Sequence, residues 1–301
     1  MFRNRLSRKR RSSWAIIPTF CLLCGHLPAA AQELKEFDTD YLQSPVDGPD
    51  LQKAERAIVR LTNEFRRENG LEKLKTDDKL HKAASYFVAF MARTNKYGHE
   101  ADGNQPWERV ALFGYDYCVV AENIAYQMKS TDFETKELAG KFFDGWKESP
   151  PHRKNMLQPH VTETGVAIGH APGSDRYFAV QLFARPQSDA IQFQVTNLTD
   201  ETIHYTVGDA KSHEEEPEKA ESDRQTFELP PRATMSHTRC LPARIDWGWT
   251  KDDDGVNVSG NGAYMITKSA NGGIEVMEQP AAELEVRPEA DINSSKTDST
   301  P

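Results

Sequence analysis

The spacing of the hydrophobic residues changes near residue 160, and this change constrains the fold more than any other feature of the chain. Before it, apolar side chains recur every three or four positions, which predicts amphipathic helices. After it they alternate, which predicts strands. Helices followed by antiparallel strands predict an α+β domain in which helices lie against a sheet. The predicted elements are helices over 51–67, 77–95, 106–110 and 131–146, the last ended by Pro150-Pro151, and a hairpin of 165–169 with 177–183.

Beyond Pro186 the pattern is one of short alternating runs, with no helix of comparable length between them. This predicts a small all-β, sandwich-like module. The predicted organisation is a signal peptide over 1–31, a linker over 32–50, an α+β domain over 51–187, a β-rich module over 188–282 and a disordered tail over 283–301.

The first 31 residues have the composition of a secretory signal peptide. Six basic residues precede an apolar stretch from Trp14 to Leu27, and Ala29–Ala31 supplies a small-residue cleavage site. The apolar stretch is shorter than the roughly 20 residues that cross a bilayer. We therefore expect cleavage after Ala31, no integral membrane segment in the mature chain, and a protein that is secreted or periplasmic.

Loss of the leader makes the chain more acidic. The leader contains six of the 37 basic residues and none of the 46 acidic ones, so the formal net charge changes from −9 to −15. Such a charge repels a phosphate backbone. We therefore expect no nucleic-acid partner.

Two cysteines, Cys118 and Cys240, remain after cleavage. The compartments to which proteins are exported permit disulfides. However, the two residues fall in different predicted domains, and a disulfide needs their Cα atoms within about 7 Å. The sequence therefore favours two free thiols over a Cys118–Cys240 disulfide.

Three short segments each contribute a side chain that can titrate or bind a metal. Two imidazoles and a carboxylate are the ligand set of a catalytic zinc site with an open position for water. A divalent cation, zinc first, is therefore a candidate cofactor. The same groups could instead hydrogen-bond one another and join the helices to the sheet. The segments are Gly98–Gly103 with His99, Ala121–Ala125 with Glu122, and Ser149–Leu157 with His152.

These segments resemble the CAP superfamily of SCP-like secreted proteins (cysteine-rich secretory, antigen 5 and pathogenesis-related 1 domains), in its bacterial branch. Ala121–Ala125 is similar to the family's Gly-Glu-Asn-Ile-Ala run. Trp146–Leu157 is similar to its Trp-x-x-Ser-Pro-Gly-His-Arg-x-Asn-Ile-Leu run, with Pro151 in place of Gly. The resemblance covers about residues 54–186.

The resemblance implies an α–β–α sandwich with a surface cleft that holds His99, Glu122 and His152. A fourth cleft position, often Glu in eukaryotic members, is Ser149 here. Serine is a poor zinc ligand and a poor general base, which weakens any interpretation that needs four ligands.

The resemblance leaves three functions open, because some CAP relatives bind lipids or sterols and others have been described as proteases. We expect first a non-catalytic extracytoplasmic binding module whose partner is a lipid, a peptide or an envelope component. The alternative is a metal-dependent hydrolase or protease with His99, Glu122 and His152 as candidate catalytic residues. A structural envelope protein is the third interpretation.

Overall fold

The first part of the described chain is a sheet with helices on both faces. The computed structural model describes residues 39–171, 175–210, 224–249 and 255–280. The strand order is β1-β3-β4-β2, with β1 parallel to β3 and the other neighbours antiparallel. Strand β2 therefore lies at one edge, and the very short β1 lies at the other. The strands are β1 (Lys75–Thr76), β2 (Tyr117–Met128), β3 (Glu163–Ala171) and β4 (Arg176–Pro186).

The helices begin and end at residues suited to those positions. Asp50 accepts a hydrogen bond from the Lys53 N–H at the start of the first helix. Asp77 likewise caps the second helix, which ends at Asn95 in the left-handed conformation (φ 54°). The helices are α1 (Leu51–Glu68), α2 (Asp78–Thr94), α3 (Pro106–Leu112), α4 (Thr135–Glu148) and α5 (Pro150–Met156), with 3-10 helices at Thr39–Leu42 and Gln187–Asp189.

Two parts of the helix prediction are wrong. Helix α4 begins at Thr135 and not near residue 131. Helix α4 ends before Pro150 as predicted, but Pro150 and Pro151 then begin α5, a helix that the prediction left out. Proline is well suited to a first helical turn, because the amide hydrogen that it lacks would have no partner within the helix there.

Alternate residues of the sheet contact the two helical layers. One layer is α1, α4 and α5, and the other is α2 and α3. Burying one large apolar side chain stabilises the fold by about 1.5–3 kcal/mol, so these layers hold the sheet between them. The α–β–α sandwich implied by the resemblance is confirmed. Its buried side chains include Ile58, Phe142, Trp146 and Phe183 on one face and Phe87, Val88, Phe178 and Val180 on the other.

The predicted β-rich module is confirmed as two sheets around one apolar core. One sheet has the order β10-β9-β6-β7 and is antiparallel; the other has the order β12-β11-β5-β8, in which β11 and β5 are parallel. The strands are β5 (Ile191–Asn197), β6 (Ile203–Asp209), β7 (Gln225–Leu229), β8 (Thr234–Arg239), β9 (Ala243–Trp247), β10 (Val256–Val258), β11 (Gly262–Lys268) and β12 (Ile274–Pro280).

The predicted signal peptide and tail lie outside the described residues. Of the predicted linker, residues 39–50 are described, and they are not free of the domain: Tyr41 and Leu42 pack against the core on the α2 side of the sheet. Among the described helices, none is both long and apolar enough to cross a bilayer.

A disulfide joins Cys118 to Cys240, with their Cα atoms 5.0 Å apart. The expectation of two free thiols is therefore wrong. Cys118 lies at the irregularity where the pairing of β2 with β4 shifts register, and Cys240 directly follows β8. The chain folds back so that two residues 122 positions apart meet, which the spacing of the cysteines does not reveal.

Candidate functional site

The Glu122 carboxylate has a partner at each of its two oxygens. Its Oε1 lies 2.8 Å from Nδ1 of His99, in the loop between α2 and α3. Its Oε2 accepts a hydrogen bond of 2.6 Å from Nη1 of Arg109 on α3. The Glu122 side chain is 1% exposed, whereas the His99 side chain is 48% exposed. The carboxylate thus holds Nδ1 of an imidazole that is about half exposed to solvent.

Arg109 organises the loop that carries His99. Its guanidinium contacts both oxygens of Asp102 at 3.0 and 3.1 Å, and it donates to the carbonyls of His99 and Asn104 at 2.7 and 3.1 Å. It also lies 3.4 Å from the centroid of the Phe87 ring, a cation–π contact. The loop conformation is therefore tied to a single buried cation.

The charges in this network do not balance fully. One guanidinium faces two buried carboxylates, Asp102 and Glu122. Burial alone would raise the pKa of Asp102, but the hydrogen bonds and charge of Arg109 outweigh it and hold this pKa below its usual value. The excess negative charge favours a cation or a hydrogen-bond donor at the His99 side.

Helix α5 is attached to β2 through two asparagines. Asn123 donates to the carbonyl of His152 at 3.1 Å. Asn155 donates to the carbonyl of Glu122 at 3.1 Å and to the Asn123 side chain at 2.9 Å. These bonds fix the helix that carries His152 beside the strand that carries Glu122.

Two further side chains cover the outer edge of β2. The indole Nε1 of Trp146 and the hydroxyl of Tyr97 both donate to the carbonyl of Ile124, at 3.2 Å each. Together with Asn155, they supply hydrogen bonds that a neighbouring strand would otherwise make.

His152 is half-buried in the first turn of α5. Burial lowers the pKa of His152 below its usual value, and the nearby His99 adds to this effect. The two predicted histidines therefore lie in one electrostatic environment. Ser149 lies between α4 and α5, where its side chain makes no capping hydrogen bond.

The expected three-ligand metal site is not assembled. Over the described parts of the chain, no group of three or more His, Cys, Asp or Glu side chains is arranged to hold a metal ion. Each oxygen of Glu122 instead has a hydrogen-bond partner, His99 at Oε1 and Arg109 at Oε2. Among the described residues, His99, Glu122 and His152 thus do not form such a group.

The sequence did not point to Arg109. Asp102 lies in the segment Gly98–Gly103 that contains His99, and a helix was predicted over residues 106–110. A single arginine on so short a helix nevertheless has no recognisable pattern. Its role depends on carboxylates at positions 102 and 122 that only the fold brings together.

Comparison with known proteins identifies the domain that carries this network. The family model for CAP, the cysteine-rich secretory protein family, matches residues 59–183. The chain carries a CAP domain. The whole network around Glu122 lies within the matched residues, so it belongs to the CAP domain and not to the β-rich module.

The CAP domain has bacterial relatives. The protein YkwD of Bacillus subtilis is 33% identical over 113 residues, which are 37% of this chain and 41% of YkwD. The chain thus matches less than half the length of that relative. An extracellular protein containing an SCP domain from Bacillus anthracis is 25% identical, with a TM-score of 0.37, over 45% of this chain and 41% of that one. An outer surface protein from Borrelia burgdorferi is 17% identical, with a TM-score of 0.40, over 45% of this chain and 94% of that one.

Proposed function

We propose that this protein is a non-catalytic binding protein that acts outside the cytoplasm, and that its ligand contacts His99 and His152 of the CAP domain. The observation that carries the proposal is the double engagement of Glu122. A carboxylate held by an imidazole and a guanidinium orients its neighbours, and each of its oxygens already accepts one hydrogen bond.

The hydrolase alternative has less support. Hydrolysis needs a general base within hydrogen-bonding distance of a water. Glu100 and Glu148 are exposed, and Ser149 is a poor general base. The alternative would use His99, whose ring Glu122 orients through Nδ1, or His152 as the base, and in the described part of the chain neither belongs to a cluster of three or more side chains that could hold a metal.

Action outside the cytoplasm is supported by two independent features. The basic and apolar leader has the composition of an export signal. The Cys118–Cys240 disulfide is a bond that persists in oxidising compartments and is rare in the cytosol.

The test is a ligand screen of the chain from Gln32 by thermal shift and NMR, with phospholipids, sterols and short peptides as probes. We expect a ligand whose affinity falls at least about tenfold in His99→Ala and in His152→Ala, roughly the loss of one good polar contact. His204→Ala, an exposed histidine on β6, is the control and should leave the affinity unchanged.

The competing functions give different results. Turnover of ester or peptide substrates that a chelator abolishes, zinc restores and Glu122→Gln removes would replace the binding proposal by the hydrolase. Binding of envelope material that persists in His99→Ala and His152→Ala, but is lost when the β-rich module is altered, would favour the structural role.

A further inference from the structure

The CAP domain and the β-rich module have separate apolar cores. Over the described residues, the two core clusters of the CAP domain contain no residue after Ala184, and the cluster of the module contains none before Ile191. Among the described strands, none pairs across the two parts. Domains of one chain move relative to each other unless their interface is large and apolar. Shared apolar packing therefore does not fix the position of the module.

The chain that connects the two parts is short and is anchored on the CAP domain. It forms the 3-10 helix Gln187–Asp189, and β5 begins one residue later, after Ala190. The Gln187 N–H donates to the carbonyl of Asp116 at 3.0 Å, and the Asp189 carboxylate accepts from the hydroxyl of Thr162 at 3.0 Å. Ala190 thus separates an anchored segment from the module, and its backbone is placed to act as a hinge.

The side chains beside this connection are polar and charged. Arg185 of β4 donates from Nη2 to the carbonyl of Asp189, and Asp209 of β6 pairs with Arg239 of β8. Burial lowers the pKa of His160; the nearby charge of Arg185 adds to this effect and that of Asp209 opposes it. The module therefore approaches the CAP domain at Asp209. Within the described residues, the buried Nε of Arg185 has no hydrogen-bond partner, so the fit here is imperfect.

The Cys118–Cys240 disulfide links the two parts covalently. Cys118 lies in β2 of the CAP domain, and Cys240 directly follows β8 of the module. Cys240 is exposed, whereas Cys118 is partly buried. Exchange requires that a thiolate reach one of the two sulfurs, and exposed disulfides are the ones that tend to be labile or regulatory. The link that holds the module is therefore accessible to a reductant.

We propose that this disulfide is a redox-sensitive latch. When closed, it holds the β-rich module in one orientation against the CAP domain. When a dithiol reductant opens it, the module turns about Ala190 while both cores stay folded. Cys118 precedes Glu122 by four positions, about 13 Å along a strand, so the latch sets where the module lies relative to the His99 cleft. This role does not depend on which ligand the cleft takes.

Electrons and protons balance when the latch opens. A thiolate of the reductant attacks the sulfur of the exposed Cys240, forms a mixed disulfide and releases the thiolate of Cys118. The second thiolate of the reductant then breaks the mixed disulfide and releases Cys240. The protein gains two electrons, its two cysteines take up the two protons that the reductant loses, and the reductant leaves as a disulfide.

The test is a distance measurement by double electron–electron resonance on the chain from Gln32. Spin labels are attached to an introduced azide-bearing amino acid, so that the cysteines stay unlabelled. One label replaces Lys82 on α2 and the other replaces Glu275 on β12, both exposed. The oxidised chain should give one narrow distance distribution. Dithiothreitol should broaden this distribution at least about twofold, and titration of the folded chain should then find two new thiols.

Two further label pairs and one variant are the controls. Lys82 with Lys136 measures the CAP domain, and Glu228 with Glu275 measures the module; all four residues are exposed. The distances within each part should not change on reduction, because both cores stay folded. Cys118→Ser/Cys240→Ser should give the broad distribution between the two parts with and without dithiothreitol.

Three results would overturn the proposal. A narrow distribution between the two parts in the reduced chain would show that other contacts fix the module. Broadening of either control pair would show that the disulfide maintains a core and not an orientation. Resistance of the bond to dithiothreitol in the folded chain would show that reductants do not reach it.

Discussion

Arg109 and Glu122 form an ion pair inside the CAP domain, with 2.6 Å between Nη1 and Oε2 and side-chain exposures of 0% and 1%. Taking one partner from a buried pair leaves the other charge without compensation. The pair therefore links the conformations of three elements: the loop that carries His99, helix α3 and the edge strand β2.

Arg109→Met should lower the free energy of unfolding by about 3–5 kcal/mol, because Glu122 and Asp102 would stay buried without their cation. Urea unfolding at pH 7 measures the change. Arg60→Met is the control, since Arg60 pairs with Glu64 on the exposed side of α1, where a pair contributes about 0.3–0.5 kcal/mol. Equal losses in the two variants would contradict the structural role of Arg109.

Asp102→Asn should destabilise the protein at neutral pH, by about 1.5–3 kcal/mol for hydrogen bonds to a charged group. Arg109 holds the pKa of Asp102 below its usual value. The carboxylate therefore stabilises the fold at a pH above about 4, which is the pKa of an aspartate in an unfolded chain. This stabilisation is lost as the pH falls through the lower pKa that Asp102 has in the folded protein. Urea unfolding at pH 7, 5 and 3 should show the gap between variant and parent closing; a constant gap would refute the assignment.

Removal of the disulfide should lower stability by about 2–5 kcal/mol, because the crosslink restricts a long loop of the unfolded chain. The comparison is thermal unfolding of the parent and of Cys118→Ser/Cys240→Ser, each with and without dithiothreitol. The parent should respond to the reductant and the double variant should not. Two titratable thiols in the oxidised parent would show that the bond is not formed.

The β-rich module should lose stability in mild acid through His237. This histidine is 8% exposed, and its Nε2 lies 2.7 Å from the hydroxyl of Tyr205. Burial lowers the pKa of His237, and the charge of Arg239 adds to the effect. A histidine with a lowered folded pKa stabilises the fold above its unfolded value of about 6.5, and this contribution is lost as the pH falls.

The measurement for this module is thermal unfolding between pH 7.5 and 5. His237→Gln, which takes up no proton in this range, should flatten the pH dependence, whereas the exposed His204→Ala should not. If both variants keep the acid sensitivity of the parent, another group is responsible.

Helix positions in the first domain were predictable because local chemistry determines them. The amphipathic spacing of α1 and α2, the capping aspartate at 77 and the left-handed Asn95 all act within a few residues of one another. Strand β2 was not predicted, because its position depends on contacts between distant parts of the chain. It lies between two helical layers and carries Glu122 and Asn123 among its apolar residues, so it shows no simple alternation.

For the candidate site, the sequence predicted three residues but none of their contacts. His99, Glu122 and His152 were expected to belong to one cleft, but the use of both Glu122 oxygens follows from Arg109, which is close to it only in the folded chain. The same holds for Cys118 and Cys240, because contacts over 122 residues leave no trace in local spacing.

The covered carbonyls of β2 also affect how copies of this protein behave together. An uncovered edge strand is a template on which another chain can extend a sheet, and this is a common route to aggregation. Here Trp146, Tyr97 and Asn155 already occupy the carbonyls of Ile124 and Glu122. The edge beside the His99 cleft is therefore a poor template for another chain, so the cleft can be open to a ligand while the strand resists self-association.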